Sequence, residues 1–351
     1  LILSGNNTYT GTTTINAGTL SVTGTLSDST AVTVASGATY NIAANDTIAS
    51  LAGAGNVNLN SFTLTTGDGT STTYSGVMSG AGNLVKVGNG TFTLSGTNTY
   101  TGMTTINAGM LSISADANLG TAPGSAIAGQ LTLNGGTLNT TASFTLNANR
   151  GITLGSSGGT IDTDSATTLT YGGIMAGTGA LTKAGAGTLV LSGTNTYTGT
   201  TTLSNGTLSV TGTLSDSTAV TVASGATYNV NTADSIAALL GAGTVALNAN
   251  LTIGGTNLDS NFTGPLGGTG SLIKTGSGEL TLSGANTYSG NTVINNSVLN
   301  LGNADALGSG LLVIDAGQLK LADGVTLTSL RVSGSIRIRK DIRTTGAQLY
   351  D

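Results

Sequence analysis

The chain has 351 residues, with 10 Lys+Arg against 15 Asp+Glu for a net charge of −5, and it contains no His, Cys or Trp. These absences rule out a Ser-His-Asp triad, a zinc site of common type and a disulfide framework, and the sparse acidic charge excludes the dense basic surface that nucleic acid requires. The 56 glycines depart from an ordinary globular mixture, yet aliphatic residues return at regular intervals, which a disordered chain does not need.

Leu1 to Ile42 reads as two coils and the start of a third. Leu1 and Leu3 match Leu20 and Val22, then Tyr40 and Ile42, then Val57 and Leu59, at offsets of 19, 20 and 17. Between these short alternating strands stand Ser4-Gly5-Asn6-Asn7 and Asn16-Ala17-Gly18, as corners that demand tight or left-handed backbone. A period near 20 made of Leu-x-Val strands and Gly/Asn turns predicts a β-solenoid, in which no coil buries enough on its own and each is stabilised by its neighbours. Helical repeats need three- and four-residue apolar spacing, and Thr, Ser, Val and Gly dominate instead.

Further along, Ile48, Leu51, Val57 and Leu59 are expected to point inward, as are Ile236, Leu239, Val245 and Leu247 in the second half. Strands are expected at Thr63-Leu64-Thr65 and across Tyr74-Ser75-Gly76-Val77. The stretch Leu84 to Ile113 is a unit that recurs as Leu181 to Val210 and Leu272 to Leu301, with a partial copy at Leu1 to Val22. Within it Phe92 and Leu94 match Leu111 and Ile113, as Leu189 and Leu191 match Leu208 and Val210. Ala115 to Arg150 breaks the pattern, and its Pro123 predicts a loop or short helical excursion at a corner. Loops near 115–130 and 303–310 are the expected places for recognition, since connections vary while strands must stack.

The Asn-Thr-Tyr centres put tyrosines at Tyr9, Tyr100, Tyr197 and Tyr288, and 197 minus 9 equals 288 minus 100. Gly18 to Asn41 also reappears letter for letter as Gly206 to Asn229 at that offset of 188. The chain therefore reads as a single continuous segment, 1–351, of a longer protein, with a 188-residue super-repeat covering approximately 1–188 and 189–351. It amounts to about 18 coils of roughly 19–20 residues, some 80 to 90 Å at about 4.8 Å per coil.

Charged residues are few enough to weigh singly. Lys86, Lys183 and Lys274 occupy one place in three copies and are expected to lie with their stems along the surface, and Arg150 is expected to be exposed. Arg331, Arg337, Arg339, Lys340 and Arg343 suggest a strand with arginines outward, either a charged edge or a patch for an anionic polymer. Two carboxylate pairs bear on glycan cleavage: Asp162 and Asp164 on one strand face, and Asp259 and Glu279 as neighbours on successive coils. Both read as surface, so no catalytic, cofactor-binding or metal-binding residue is assigned. No run of 18 apolar residues is present, so no helical membrane span is expected.

Gly187 to Val210, with the copies at Gly90 to Ile113 and Gly278 to Leu301, resembles the passenger-associated transport repeat of Gram-negative autotransporters. The closing Asp341 to Tyr350 is similar to a stretch of filamentous-haemagglutinin-like surface proteins. The resemblance implies a right-handed parallel β-helix, exported through the outer membrane and displayed on the cell surface or secreted as a stalk or virulence-associated adhesin. It further implies no cofactor, a host-cell surface, a glycan or self-association as partner, and membrane contact only through a translocator domain outside this chain. The alternatives are a carbohydrate-active β-helix enzyme acting through Asp162 and Asp164, or an ice- or surface-binding solenoid using Thr63/Thr65 and Thr91/Thr93.

Overall fold

A computed structural model describes the whole chain apart from residues 316, 328–329, 335–347 and 351. The basic run from Arg337 to Arg343 therefore lies outside the described residues. Strands of two to seven residues follow one another from end to end, and the one helical element among the described residues is a 3-10 turn, Asp116–Leu119. Among the described residues the strand pairings are parallel and join residues about one turn apart, which is the pattern of a β-solenoid.

The chain divides into two compact units, Leu1–Gly179 and Ala180–Asp351. In the first, one face is built by Thr13–Ile15, Ala31–Val34, Ser50–Gly53, Thr72–Tyr74, Thr91–Leu94, Met110–Ile113, Thr137–Thr140 and Gly159–Thr163. A second face runs from Ile2–Leu3 to Met78–Ser79, and a third from Asp46–Ile48 to Met175–Gly177. The second unit repeats the plan. Its first face runs from Leu181–Ala184 to Gln318–Leu321, its second from Thr188–Leu191 to Leu266–Gly268, and its third from Asp234–Ile236 onward.

The ladders follow the spacing read from the sequence. Leu3 pairs with Val22, Val22 with Ile42 and Tyr40 with Val57. Leu189 pairs with Leu208, and Phe92 with Leu111. Alternate residues of these strands are buried and form the core, including Ile48, Leu51, Val57, Leu59, Ile236, Leu239, Val245 and Leu247. A slip of one residue would turn each of these side chains to solvent, which is why the register is so strictly held.

Two expectations need correction. The first face carries eight strands in each unit, so the turns number about 16 rather than 18. The difference comes from long turns: Met110 pairs with Thr137, a step of 27 residues, because the 3-10 turn and the loop after it are inserted between stacked strands, and Thr137 pairs with Thr160, a step of 23. The strand expected across Tyr74 to Val77 is instead a corner between Thr72–Tyr74 and Met78–Ser79. Its Gly76 allows the close approach, since a Cβ there would sit 1.8 Å from the Gly55 carbonyl oxygen.

Candidate functional site

The motif Asn-Thr-Tyr crosses one face of the solenoid without forming a strand, and in the three full copies its tyrosine fills the space that a strand would leave, whereas Tyr9 of the partial copy is exposed. Tyr100, Tyr197 and Tyr288 are fully buried, each sharing a hydrogen bond with the threonine four residues on, at 2.7, 2.6 and 2.5 Å. The asparagine links turns. Asn98 accepts from the Met78 amide at 2.8 Å and donates to the Asn118 carbonyl at 2.6 Å, and Asn286 does the same between Leu266 and Ala306.

The three motif lysines do not lie on the surface. Lys86, Lys183 and Lys274 are 1 %, 0 % and 1 % exposed, turned inward at the corner that follows their strands. The Lys86 ammonium donates to the carbonyls of Val87 at 2.6 Å, Gly88 at 2.8 Å and Ala108 at 3.3 Å, and Lys183 to those of Ala184, Gly185 and Asn205. Lys274 donates to the Thr275 carbonyl and to Ser297 Oγ. An ammonium has three donors, and the G-x-G turn leaves carbonyls pointing into the corner without ladder partners, so one need answers the other. Burial pushes the Lys86 and Lys274 ammonium groups below the ordinary lysine range, offset in part by Asp68 and Asp259. With three acceptors around Lys86 and Lys183 and two around Lys274, these ammonium groups are engaged in closing the corners.

Arg150 is likewise buried, at 1 % exposed. Its guanidinium pairs with Asp116 at 2.8 Å and donates to the carbonyls of Leu119 at 2.9 Å and Gly120 at 2.5 Å, clamping the 3-10 turn onto the turn that follows. The turn needs this clamp because it carries unpaired carbonyls into the interior where a strand would have satisfied them.

The carboxylate pairs lie as the alternation implied. Asp162 and Asp164 face outward at the end of the first face, with Asp164 accepting from the Asn139 amide at 2.9 Å. Asp259 and Glu279 are adjacent on successive turns, lining an open groove of about 460 Å³ with Leu240, Asn261 and Thr281. Both acids have other partners, since Asp259 accepts the Glu279 amide at 2.7 Å and Glu279 pairs with Lys320 at 2.5 Å. Thr63 and Thr65 stand on the third face and Thr91 and Thr93 on the first, and Thr63 is followed by Asn83 and Thr65 by Val85. Rows of paired threonines in register, which an ice-binding face needs, are therefore not continued there.

A second groove of about 440 Å³ opens beside the long loop of the first unit, floored by Gly151, Gly172 and Gly173 and rimmed by Ile127 and Ile174. These two isoleucines are 41 % and 53 % exposed. The segment 303–310 instead makes compact turns, with Asn303 accepting the Asp305 amide at 2.9 Å. Beside the grooves, the surface is one of short polar side chains bonded across turns, such as Asn58 to Asn41 at 3.1 Å and Asn41 to Ser21 at 3.0 Å.

The profile of the passenger-associated-transport-repeat family matches residues 1–22, 84–113, 181–210 and 272–301. The chain is also 39% identical over 361 residues to the adhesin BmaC autotransporter of Brucella suis biovar 1 (strain 1330). That match covers 95% of this chain and 10% of the relative, so the chain spans about a tenth of the length of the protein it resembles. No solved structure matches.

Proposed function

Taking as premise that the chain belongs to the autotransporter passengers built from passenger-associated transport repeats, we propose that it is a non-catalytic adhesive spacer. Such passengers are cell-surface or secreted proteins of Gram-negative bacteria, and the spacer is read here as a stiff stretch of one continuous β-helix that presents a binding region. The observation that carries the reading is the unbroken run of buried aliphatic residues in ladder register inside each unit, under a surface of short uncharged side chains. A solenoid that satisfies its backbone turn by turn resists bending, and its polar coat offers a broad surface for weak repeated contacts with a host-cell surface, a glycan or another copy of itself.

Glycan cleavage through Asp259 and Glu279 is disfavoured by their partners, because they are engaged with an amide and a lysine. The test is to measure binding of the purified chain to epithelial cells and to a glycan array, with small-angle scattering for its length. The expected result is saturable binding without glycan cleavage and an extended particle. Cleavage lost on Asp259→Asn or Glu279→Gln would overturn the reading, and so would a particle no longer than either unit. Ile127→Glu, at the rim of the apolar groove, is expected to reduce cell binding severalfold if the loop of the first unit takes part.

A further inference from the structure

Asp46 and Asp234 are two buried carboxyls in equivalent positions 188 residues apart, and the spacer reading uses neither. Asp46 Oδ1 accepts the amides of Leu26, one turn back, at 3.0 Å and of Thr47 at 3.1 Å, while its Oδ2 accepts the Tyr40 hydroxyl at 2.7 Å. Asp234 accepts the amides of Leu214 at 3.2 Å and Ser235 at 3.0 Å, and the Tyr228 hydroxyl at 3.3 Å. Elsewhere in the molecule the same duty falls to an amide side chain. Met78 and Leu266 follow a corner glycine by two residues, as Leu26 and Leu214 do, and their amides are accepted 20 residues on by Asn98 and Asn286. At the Leu26 and Leu214 corners the fold therefore places an ionisable group where a neutral isostere serves at Met78 and Leu266.

We infer that Asp46 and Asp234 are acid-closed latches: protonated, they hold the corners at Leu26 and Leu214 as firmly as asparagine holds Met78 and Leu266, and ionised they loosen them. The cause is solvation. A carboxylate enclosed beside Tyr40 or Tyr228 loses water that three hydrogen bonds replace only in part. The charged or titratable neighbours do not relieve it, since the exposed Asp28 lies near Asp46, and Asp216 and the buried phenol of Tyr197 near Asp234. Burial accordingly raises both carboxyls above the ordinary range, Asp234 to about 6. A folded-state value above the unfolded one adds stability that is complete below about pH 4 and is lost as pH rises through about 6.

The experiment is hydrogen exchange on the intact chain at about pH 5 and about pH 7.5, expressed as protection factors. The Leu214 amide is expected to lose roughly tenfold or more of its protection on going to the higher pH, one pKa unit being a factor of ten, and Leu26 to lose protection in the same direction. Met78 and Leu266 should hold theirs. D46N and D234N should abolish the dependence and keep the higher protection at both values. Equal loss at Met78 and Leu266, an unchanged Leu214, or the same pH profile in D234N would overturn the proposal. The wild-type comparison decides the matter even if a variant fails to fold.

Discussion

At the level of single residues, the interior cations are the main surprise. Lysine and arginine seldom lie inside proteins unless paired, so Lys86, Lys183, Lys274 and Arg150 read naturally as surface groups. They go inside because a solenoid corner is a place where the chain leaves the ladder and carbonyls lose their partners. The position of each motif lysine, two residues ahead of the first glycine of a turn-forming G-x-G, was the available clue. Lys86→Met keeps the stem's volume and removes the donors, leaving carbonyls of Val87, Gly88 and Ala108 without the ammonium. It is expected to lower stability by about 3 kcal/mol, the range for buried polar groups left unsatisfied, read from the urea midpoint of the tyrosine fluorescence.

Among the strands, size matching between adjacent turns governs what the core accepts. Tyr74 pairs with Gly53 in the first unit and Phe262 with Gly241 in the second, a ring against a bare backbone in both. Gly53 has φ +111°, and a Cβ there would meet the Val34 carbonyl oxygen at 2.1 Å. Gly53→Ala thus combines a disfavoured backbone with a clash that only movement of the ladder could relieve. We expect it to cost more than about 3 kcal/mol or to prevent folding, whereas Gly5→Ala, with nothing within 4 Å, should stay within about 0.5 kcal/mol in the same denaturation assay. Strand positions themselves were legible from the two-residue alternation. The turn at Asp116–Leu119 was foreseen as a loop or short helical excursion, but not its clamp, because that is supplied by Arg150, more than thirty residues on and in the next turn of the stack.

Taken as a whole, the chain has no histidine to titrate near neutrality and draws its alkaline limit from buried phenols. Burial raises Tyr100 and Tyr171 to about 12, and raises Tyr40, Tyr74, Tyr197, Tyr228 and Tyr288 as well. Unfolded phenols ionise near 10, so from there to about 12 the native state holds more protons and stability falls with rising pH. The depressed Lys86 and Lys274 act in the opposite sense, gaining stability as pH approaches 10.5, but they are two groups against seven. Circular dichroism is expected to show loss of structure between about pH 10 and 12, with tyrosinate absorbance appearing together with unfolding rather than before it.

What the sequence determined by itself is the ladder: which side chains lie over which, turn after turn. The reason is local, since the strand period of two admits one register that keeps the aliphatic residues inside. What only the tertiary structure decided is how the turns are closed and which way each copy faces. Thr13–Ile15 of the first copy lies on the first face, while its counterpart in the second, Thr104–Ile106, lies on the third. The 91 residues between the two take the chain through whole turns and two further faces, a sum over every corner along the way. Corner lengths, and the buried lysines, asparagines and aspartates that satisfy them, depend on backbone groups supplied by the neighbouring turn, which no stretch of sequence contains alone.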